Sequence, residues 1–255
     1  MVDLRKVTLD ALRVSGAREL RDDAYYPRLA ALLLRDGYAF RVGSKISAGR
    51  ALLLNLSFWK PDDNADVLVG STLPADVVAH VGWHHAARRS LGAAGATVDG
   101  MLLGESVASA FDLYLIGRLL RDAPKAEMLQ SQVPALSEVA ADAGLSARGF
   151  TKLLEHLAED PAHAFAELRQ LLFDVATQLV RCQGIDAAEA ALQQLAGHRY
   201  YPLLHHYNVS NWVLHSRAYG GRVPARVERL VARIDAELRG CGSELTWLSD
   251  QWLSR

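Results

Sequence analysis

Residues 101–121, MLLGESVASAFDLYLIGRLLR, constrain the fold of this chain more than any other stretch of its sequence. Apart from Glu105 and Asp112, the side chains are apolar or small on nearly every side, until Arg118 and Arg121 close the stretch. A helix that is apolar all round is buried, and the uninterrupted apolar segment around FDLYLIGRLL is too short to cross a membrane. The sequence therefore predicts a central helix that other elements cover.

The elements around this helix are mostly predicted to be helices as well. Pro74 suits a first helical turn, and the apolar pattern predicts a helix from there to about Ser90. A glycine-rich connection, residues 92–100, leads into the central helix. After the central helix, about four or five more helices are expected, ending near residue 240.

The first part of the chain shows two different sequence patterns. Residues 1–35 carry apolar side chains at helical spacing, which predicts helix up to the break at Asp36-Gly37. Three short apolar segments bounded by Gly, Ser, Pro and Asp are the only predicted strands, at residues 38–45, 50–59 and 65–71. The predicted fold class is mainly α with a small β element, an α+β arrangement.

A polar stretch with two prolines, residues 122–135, marks a candidate domain boundary. It separates an N-terminal region, 1–121, from a helical C-terminal region, 122–255. One continuous domain is the alternative, since 255 residues fit either arrangement.

Charge and cysteine content narrow the classes of function. The chain has 28 Lys+Arg against 29 Asp+Glu, whereas proteins held by nucleic-acid phosphates usually show a basic excess. Cys182 and Cys241 are too few for a disulfide framework, so reduced thiols are expected. The N-terminus lacks the apolar core of a secretory signal. We expect a cytoplasmic protein with a small-molecule or peptide substrate and no membrane partner, and a homo-oligomer stays open.

The helix that begins near Pro74 carries a candidate metal site. His80 and His84 are four residues apart, so both imidazoles lie on one face with Cβ atoms about 6 Å apart. Two such nitrogens can converge on one cation, and zinc prefers these ligands. His85 points about 100° away around the helix.

The central helix supplies a candidate third ligand. Glu105 lies 21 residues beyond His84, and a polar stripe continues from it through Ser109 to Asp112. A carboxylate inside an apolar helix is costly unless it is paired or bound to a metal. Both carboxylates are therefore expected to have partners.

This arrangement resembles the core of the gluzincin metallopeptidases, a zincin-like family, over roughly residues 38–120. A strand-bearing segment, a helix with HxxxH, a glycine-rich link and a helix with Gly-Glu follow one another in both. The resemblance implies that His80 and His84 are the first two ligands of a divalent ion, that Glu105 is the third, and that the activity is hydrolytic.

The sequence departs from that family at Val81, where the family has the glutamate that acts as general base. General-base assistance contributes typically about 10²–10⁴-fold to a rate. The layout is therefore degenerate, and His85 or Asp112 is the candidate replacement.

Other interpretations of the same residues stay open. Two histidines and one carboxylate also form the facial triad of non-haem iron oxygenases, a chemistry that needs no general base. The metal is accordingly predicted to be zinc or iron. The last alternative is a protein without catalytic activity. It would be a scaffold descended from a peptidase, in which Glu105 pairs with Arg88 or Arg89.

A second polar stripe follows Pro202. If that segment is one helix, His205, Asn208, Trp212 and His215 share a face, which could line a pocket opposite the metal. A histidine there, or the nearby Tyr207, could stabilise a developing oxyanion. The alternative is an exposed helix face.

Residues 136–156 have the pattern of a bacterial helix-turn-helix, with Gly144 at the turn and Leu145, Phe150 and Leu153 in its small core. A transcription regulator is therefore a further alternative. Acidic residues outnumber basic ones in this stretch, however, and DNA binding depends on Lys and Arg. Nucleic acid is an unlikely partner on that ground.

Overall fold

A computed structural model describes residues 4–43 and 67–254. The chain forms two compact units, Met1–His85 and Ala86–Arg255, and the division falls inside one continuous helix, Ala75–Leu91. The prediction of a mainly helical chain with a small β element is confirmed. Within the described ranges, no helix combines the length and the apolar character needed to span a membrane.

The first unit contains the strands. Its larger sheet places β3 (Ala39–Gly43) between an antiparallel neighbour, β1 (Leu4–Thr8), and a parallel one, β4 (Val67–Leu68). A second pair joins β2 (Arg13–Ser15) to β5 (Thr72–Pro74) in parallel. The strands predicted at 38–45 and 65–71 are confirmed, whereas the one at 50–59 lies outside the described residues.

The predicted helix over residues 1–35 is wrong for most of its length. Only α1, Tyr26–Arg35, is an α-helix there, and it begins where the Asp23 carboxylate accepts hydrogen bonds from two backbone N–H groups. Upstream, Val7 in β1 and Leu9 just after it are buried two positions apart, a spacing that suits a strand and not an α-helix. Pairing with strands far along the chain decides the outcome.

The helix predicted from Pro74 to about Ser90 is confirmed as α2, Ala75–Leu91, which starts directly after β5. Gly82 lets α1 approach it closely, because a Cβ at this position would lie 2.9 Å from Leu29 Cβ. By the helical period, Gly82 lies on the side of α2 opposite His80. Packing on α1 therefore leaves the His80 side of α2 for other contacts.

The second unit is built around α3, Val98–Asp122, whose side chains are buried along almost the whole helix. The predicted central helix is thus confirmed. It packs against five of the α-helices that follow it, and at Gly117 a Cβ would be only 2.2 Å from the Leu157 carbonyl oxygen. The elements that follow α3 are α4 (Glu127–Asp142), α5 (Ala147–Glu159), α6 (Pro161–Arg181), α7 (Ile185–Gln193), a 3-10 helix (Tyr201–Tyr207), α8 (Val209–Tyr219), α9 (Ala225–Gly240) and α10 (Glu244–Trp252).

Seven α-helices thus follow the central one, against a prediction of four or five. The short helix α7 has no buried residue. Helix α10 lies beyond the predicted helical limit near residue 240 and is only nine residues long.

The predicted helix-turn-helix pattern falls on α4 and α5. The turn between them has Gly144 in the left-handed region, and the Ser146 side chain caps α5. Phe150 and Leu153 are buried as predicted, and α5 packs on the central helix. The outer face of α5 is of mixed charge, with Arg148 and Lys152 exposed beside Glu155 and Glu159.

One charged cluster connects the last helices of the second unit. Arg169 on α6 is fully buried and makes a two-pronged contact with the Glu244 carboxylate on α10. Its Nη1 also donates to Asp235 on α9 at 2.8 Å, and Gln170 donates to Glu244 at 2.8 Å. We call these four residues the Arg169 cluster.

Candidate metal centre

Helix α2 presents His80 and His84 side by side. They are one helical turn apart, half-buried, and their Nε2 atoms lie 3.2 Å from each other. Two nitrogens that each bind a tetrahedral zinc ion at about 2.0–2.1 Å would be roughly 3.3 Å apart. The imidazole pair therefore already has the spacing that a shared metal ion requires.

A tight link brings the chain from α2 into α3. Helix α2 ends at Leu91, and a short 3-10 helix begins at Gly92, whose φ of 53° favours glycine. The Thr97 hydroxyl donates to the Ala94 carbonyl at 2.7 Å and accepts from the Gly100 N–H at 3.1 Å. Because a Cβ at Gly100 would lie 2.0 Å from the Ala94 oxygen, the turn requires glycine there.

Glu105 follows in the second turn of α3 and completes a cluster with the two histidines. One ligand atom from each of His80, His84 and Glu105 lies within 4.8 Å of the other two, and all three residues are half-buried. Among the residues that the structure describes, this is the one group of His, Cys, Asp or Glu side chains that could hold a metal ion. We call it the triad.

The triad combines two imidazoles with one carboxylate, a donor set that suits zinc as well as non-haem iron. Three protein ligands leave coordination positions for water or a substrate. The geometry therefore admits a reactive metal centre, and it does not distinguish between the two metals.

The position of the missing general base is filled by an apolar side chain. Val81 is buried at 6% exposure. His85, a candidate replacement, has its Nε2 2.8 Å from an Asp36 carboxylate oxygen and packs edge-on against Tyr38. The structure thus places His85 in a contact with the end of α1.

Asp112, the other candidate, lies further along α3 and is half-buried. Two side chains from the segment after α7 are close enough to sense its charge. Burial lowers the pKa of His206, against an upward effect of Asp112. Burial also raises the pKa of Tyr207 well above 10, and Asp112 adds to that rise.

His215 on α8 is close enough to the triad's carboxylate to sense its charge. Burial lowers the pKa of its imidazole, and the charge of Glu105 acts in the opposite direction. The ring is tilted against that of Tyr219, with centroids 4.7 Å apart.

The segment after Pro202 is not one helix. A 3-10 helix over residues 201–207 ends at Asn208, whose φ of 49° is left-handed, and α8 begins only at Val209. This break changes which side chains share a face. His205 is exposed to solvent, and its neighbour His206, which the sequence pattern did not single out, is the one near Asp112.

Comparison of the chain with known proteins finds no matching family model, no matching curated protein and no matching solved structure. The resemblance to gluzincins therefore rests on the triad alone.

Proposed function

We propose that the protein is a metal-dependent enzyme with a hydrolase-like centre, in which His80, His84 and Glu105 hold a divalent ion. The observation that supports it best is the 3.2 Å separation of the two Nε2 atoms, with a carboxylate oxygen within 4.8 Å. A bound ion would polarise a carbonyl or phosphoryl oxygen and lower the pKa of a bound water to about 7.

The remaining roles, those of a general base and of substrate binding, concern Val81, His85 and Asp112. Val81 stands at the usual position of the base and His85 is held against Asp36, so neither residue is placed to act as the general base. Asp112 lies seven residues beyond Glu105, about 10 Å along the helix. Asp112, with Tyr207 and His206 near it, therefore serves the far end of a small-molecule or peptide substrate better than it serves the ion.

The first test is the metal content of purified protein, with His80→Ala and His84→Ala as variants and His205→Ala as the matched control. We expect one ion per chain in the native protein and in the control, and loss of most of it in both triad variants. Equal metal content in all four proteins would overturn the proposal. If the bound metal is zinc, the result supports a hydrolase. If it is iron, the result favours an oxygenase that uses the same triad.

The second test restores the base. Val81→Glu places a carboxylate where gluzincins have theirs, and it should raise the hydrolysis of a generic peptide substrate by the metal-loaded protein. Its melting temperature should fall somewhat, because Val81 is buried and a carboxylate there loses hydration. A folded, metal-loaded variant with no gain in hydrolysis would contradict the peptidase-like part of the proposal.

A further inference from the structure

Residues 185–199 run from the start of α7 to the residue before Tyr200, and none of their side chains is buried. Ile185 is 76% exposed, whereas Tyr200, which follows the stretch, is fully buried. A stretch with few buried apolar contacts opens locally at a low cost in free energy. We call residues 185–199 the strap, and the polar contacts at its end therefore decide how firmly it is held.

The end of the strap is held by Arg199. Its Nη1 contacts the Nε2 of His156 on α5, and it lies 3.5 Å from the Oε2 of Glu167 on α6. The Nε2 of His156 is itself 3.2 Å from the same carboxylate oxygen. One imidazole nitrogen thus faces a cation and an anion at once.

This nitrogen can bind only one of the two groups at a time. A guanidinium stays charged and only donates hydrogen bonds, so Arg199 can bind Nε2 only in an uncharged ring that carries its proton on Nδ1. An ionised carboxylate only accepts, so Glu167 can bind Nε2 only when that nitrogen carries a proton. Protonation of His156 therefore breaks the contact with Arg199 and forms the one with Glu167.

Other elements that pack on α5 also bring charged or titratable groups toward it. On α6, the ring of His163 lies edge-on to that of His156 with centroids 6.2 Å apart, and its Nε2 is 3.7 Å from the second Glu167 oxygen. On α3, Arg118 pairs with Asp122 at 3.0 Å, and the acidic side chains of α4 are exposed. These groups act on the ring from outside hydrogen-bonding contact with its Nε2 atom.

The strap carries a second histidine whose contact depends on pH. The Nδ1 of His198 accepts the backbone N–H of Tyr200 at 3.2 Å, and burial lowers the pKa of this ring. The ring of Tyr200 is tilted against that of His156 with centroids 6.5 Å apart, and burial raises the pKa of its hydroxyl, which stays uncharged. A test of His156 must therefore separate it from His198.

We propose that His156 is a proton-operated latch of the strap: the uncharged ring holds Arg199, and the protonated ring binds Glu167 and releases it. Histidine is the side chain that ordinarily changes charge between about pH 5 and 8, so the strap is held at neutral pH and loosened in mild acid. The inference is independent of the proposed function, because none of these residues belongs to the triad.

The test is hydrogen exchange of the α7 amides, measured by mass spectrometry at about pH 7.5 and about pH 5.5 and corrected for the intrinsic effect of pH on exchange. In the native protein, protection should fall by about three- to tenfold at the lower pH, the effect of one net hydrogen bond. His156→Gln can still accept from Arg199 but cannot be protonated, so its α7 amides should stay protected at both pH values. Arg199→Met should be weakly protected at both.

Two further variants are matched controls. His163→Gln changes the other imidazole beside Glu167, and His198→Gln changes the second histidine of the strap. Both should keep most of the native pH effect. Exchange of the α3 amides shows in each variant whether the core is folded, and if His156→Gln does not fold, Arg199→Met provides the test.

Three results would overturn the latch. The first is native protection that is equal at the two pH values, and the second is native-like protection of Arg199→Met at the higher pH. The third is a pH effect that persists in His156→Gln, and its disappearance in His198→Gln would then assign the effect to His198.

Discussion

Two polar clusters lie among the helices of this protein, and they differ in how their charges are balanced. The Arg169 cluster contains its own cation, because a buried guanidinium meets Glu244 and Asp235 directly. The triad contains one carboxylate and two imidazoles, and none of its three members is a lysine or an arginine. Both clusters bring together residues that are far apart in the sequence.

The difference suggests different roles. An arginine that binds a carboxylate with two parallel hydrogen bonds forms a strong and geometrically defined contact, and the Arg169 cluster thereby holds α6, α9 and α10 together. A carboxylate beside two imidazoles has instead the composition of a site for an added cation. The first cluster is complete as a stabilising element, and the second is a group that could hold a metal ion.

The largest effect is expected from Arg169→Met. Removing one partner of a buried ion pair leaves the other charge uncompensated and typically costs about 3–5 kcal/mol of the free energy of unfolding. Denaturant unfolding measures this loss. Zn²⁺ affinity of the variant, measured under conditions where it is folded, should equal that of the native protein, because the triad does not include Arg169.

A matched control exists on α9. Arg233 pairs with Glu237 at 3.6 Å on the surface, and such pairs contribute about 0–1 kcal/mol. Arg233→Met should therefore be nearly neutral. If both arginine variants lose the same stability, the Arg169 cluster is not the stabilising element described above.

The next largest effect is expected from Glu105→Gln. Glutamine keeps the shape of the side chain but is a poor replacement for a charged oxygen ligand, so Zn²⁺ affinity should fall by more than the roughly 10–100-fold of an outer-group change. The metal-free variant should unfold much like the native protein. Unchanged Zn²⁺ affinity would mean that Glu105 is not a metal ligand. The residue would then belong to an ordinary polar contact, such as a pair with Arg88 or Arg89.

Acid should weaken the fold through a third set of groups. Burial lowers the pKa of His198, His206 and His215 from 6.5. The unfolded chain then binds more protons, so their contribution to stability is complete above about pH 6.5 and decreases as the pH falls below it. The slope should stay below about 1.4 kcal/mol per pH unit for each ring, because all three are partly solvated.

Melting temperatures of the metal-free protein between about pH 8 and pH 5 test this expectation. His206→Gln should flatten the decline, and Arg233→Met should leave its slope unchanged. A melting temperature that is independent of pH over this range would contradict the burial of neutral histidines.

The helices that frame the triad were predictable because their signals are local. The central helix follows from apolar side chains on all its sides, and α2 follows from the proline and the spacing after it. The histidine pair needs only a helical period. Glu105 was predictable because a carboxylate inside an apolar helix requires a partner.

The features that the sequence did not reveal depend either on contacts with distant parts of the chain or on a local break in a helix. Strand β2 pairs Arg13 with Thr72, which lies 59 positions further along the chain. The residues around Arg13 do not indicate that this segment pairs with such a distant strand. The single helix expected after Pro202 is interrupted at Asn208, whose left-handed backbone separates the 3-10 helix from α8. Side chains before and after Asn208 therefore do not share one helical register. Asparagine tolerates that conformation, but its presence does not require it.

The measurement that tests the account most directly is the melting temperature of the metal-free protein with and without added Zn²⁺. An ion that binds only the folded chain stabilises it by about 2.7 kcal/mol at a hundredfold excess over the dissociation constant. We expect a clear rise in melting temperature for the native protein, a smaller or absent rise in Glu105→Gln, and an undiminished rise in Arg233→Met. A native melting temperature that does not move with Zn²⁺ or Fe²⁺ would contradict the claim that the triad is a metal centre.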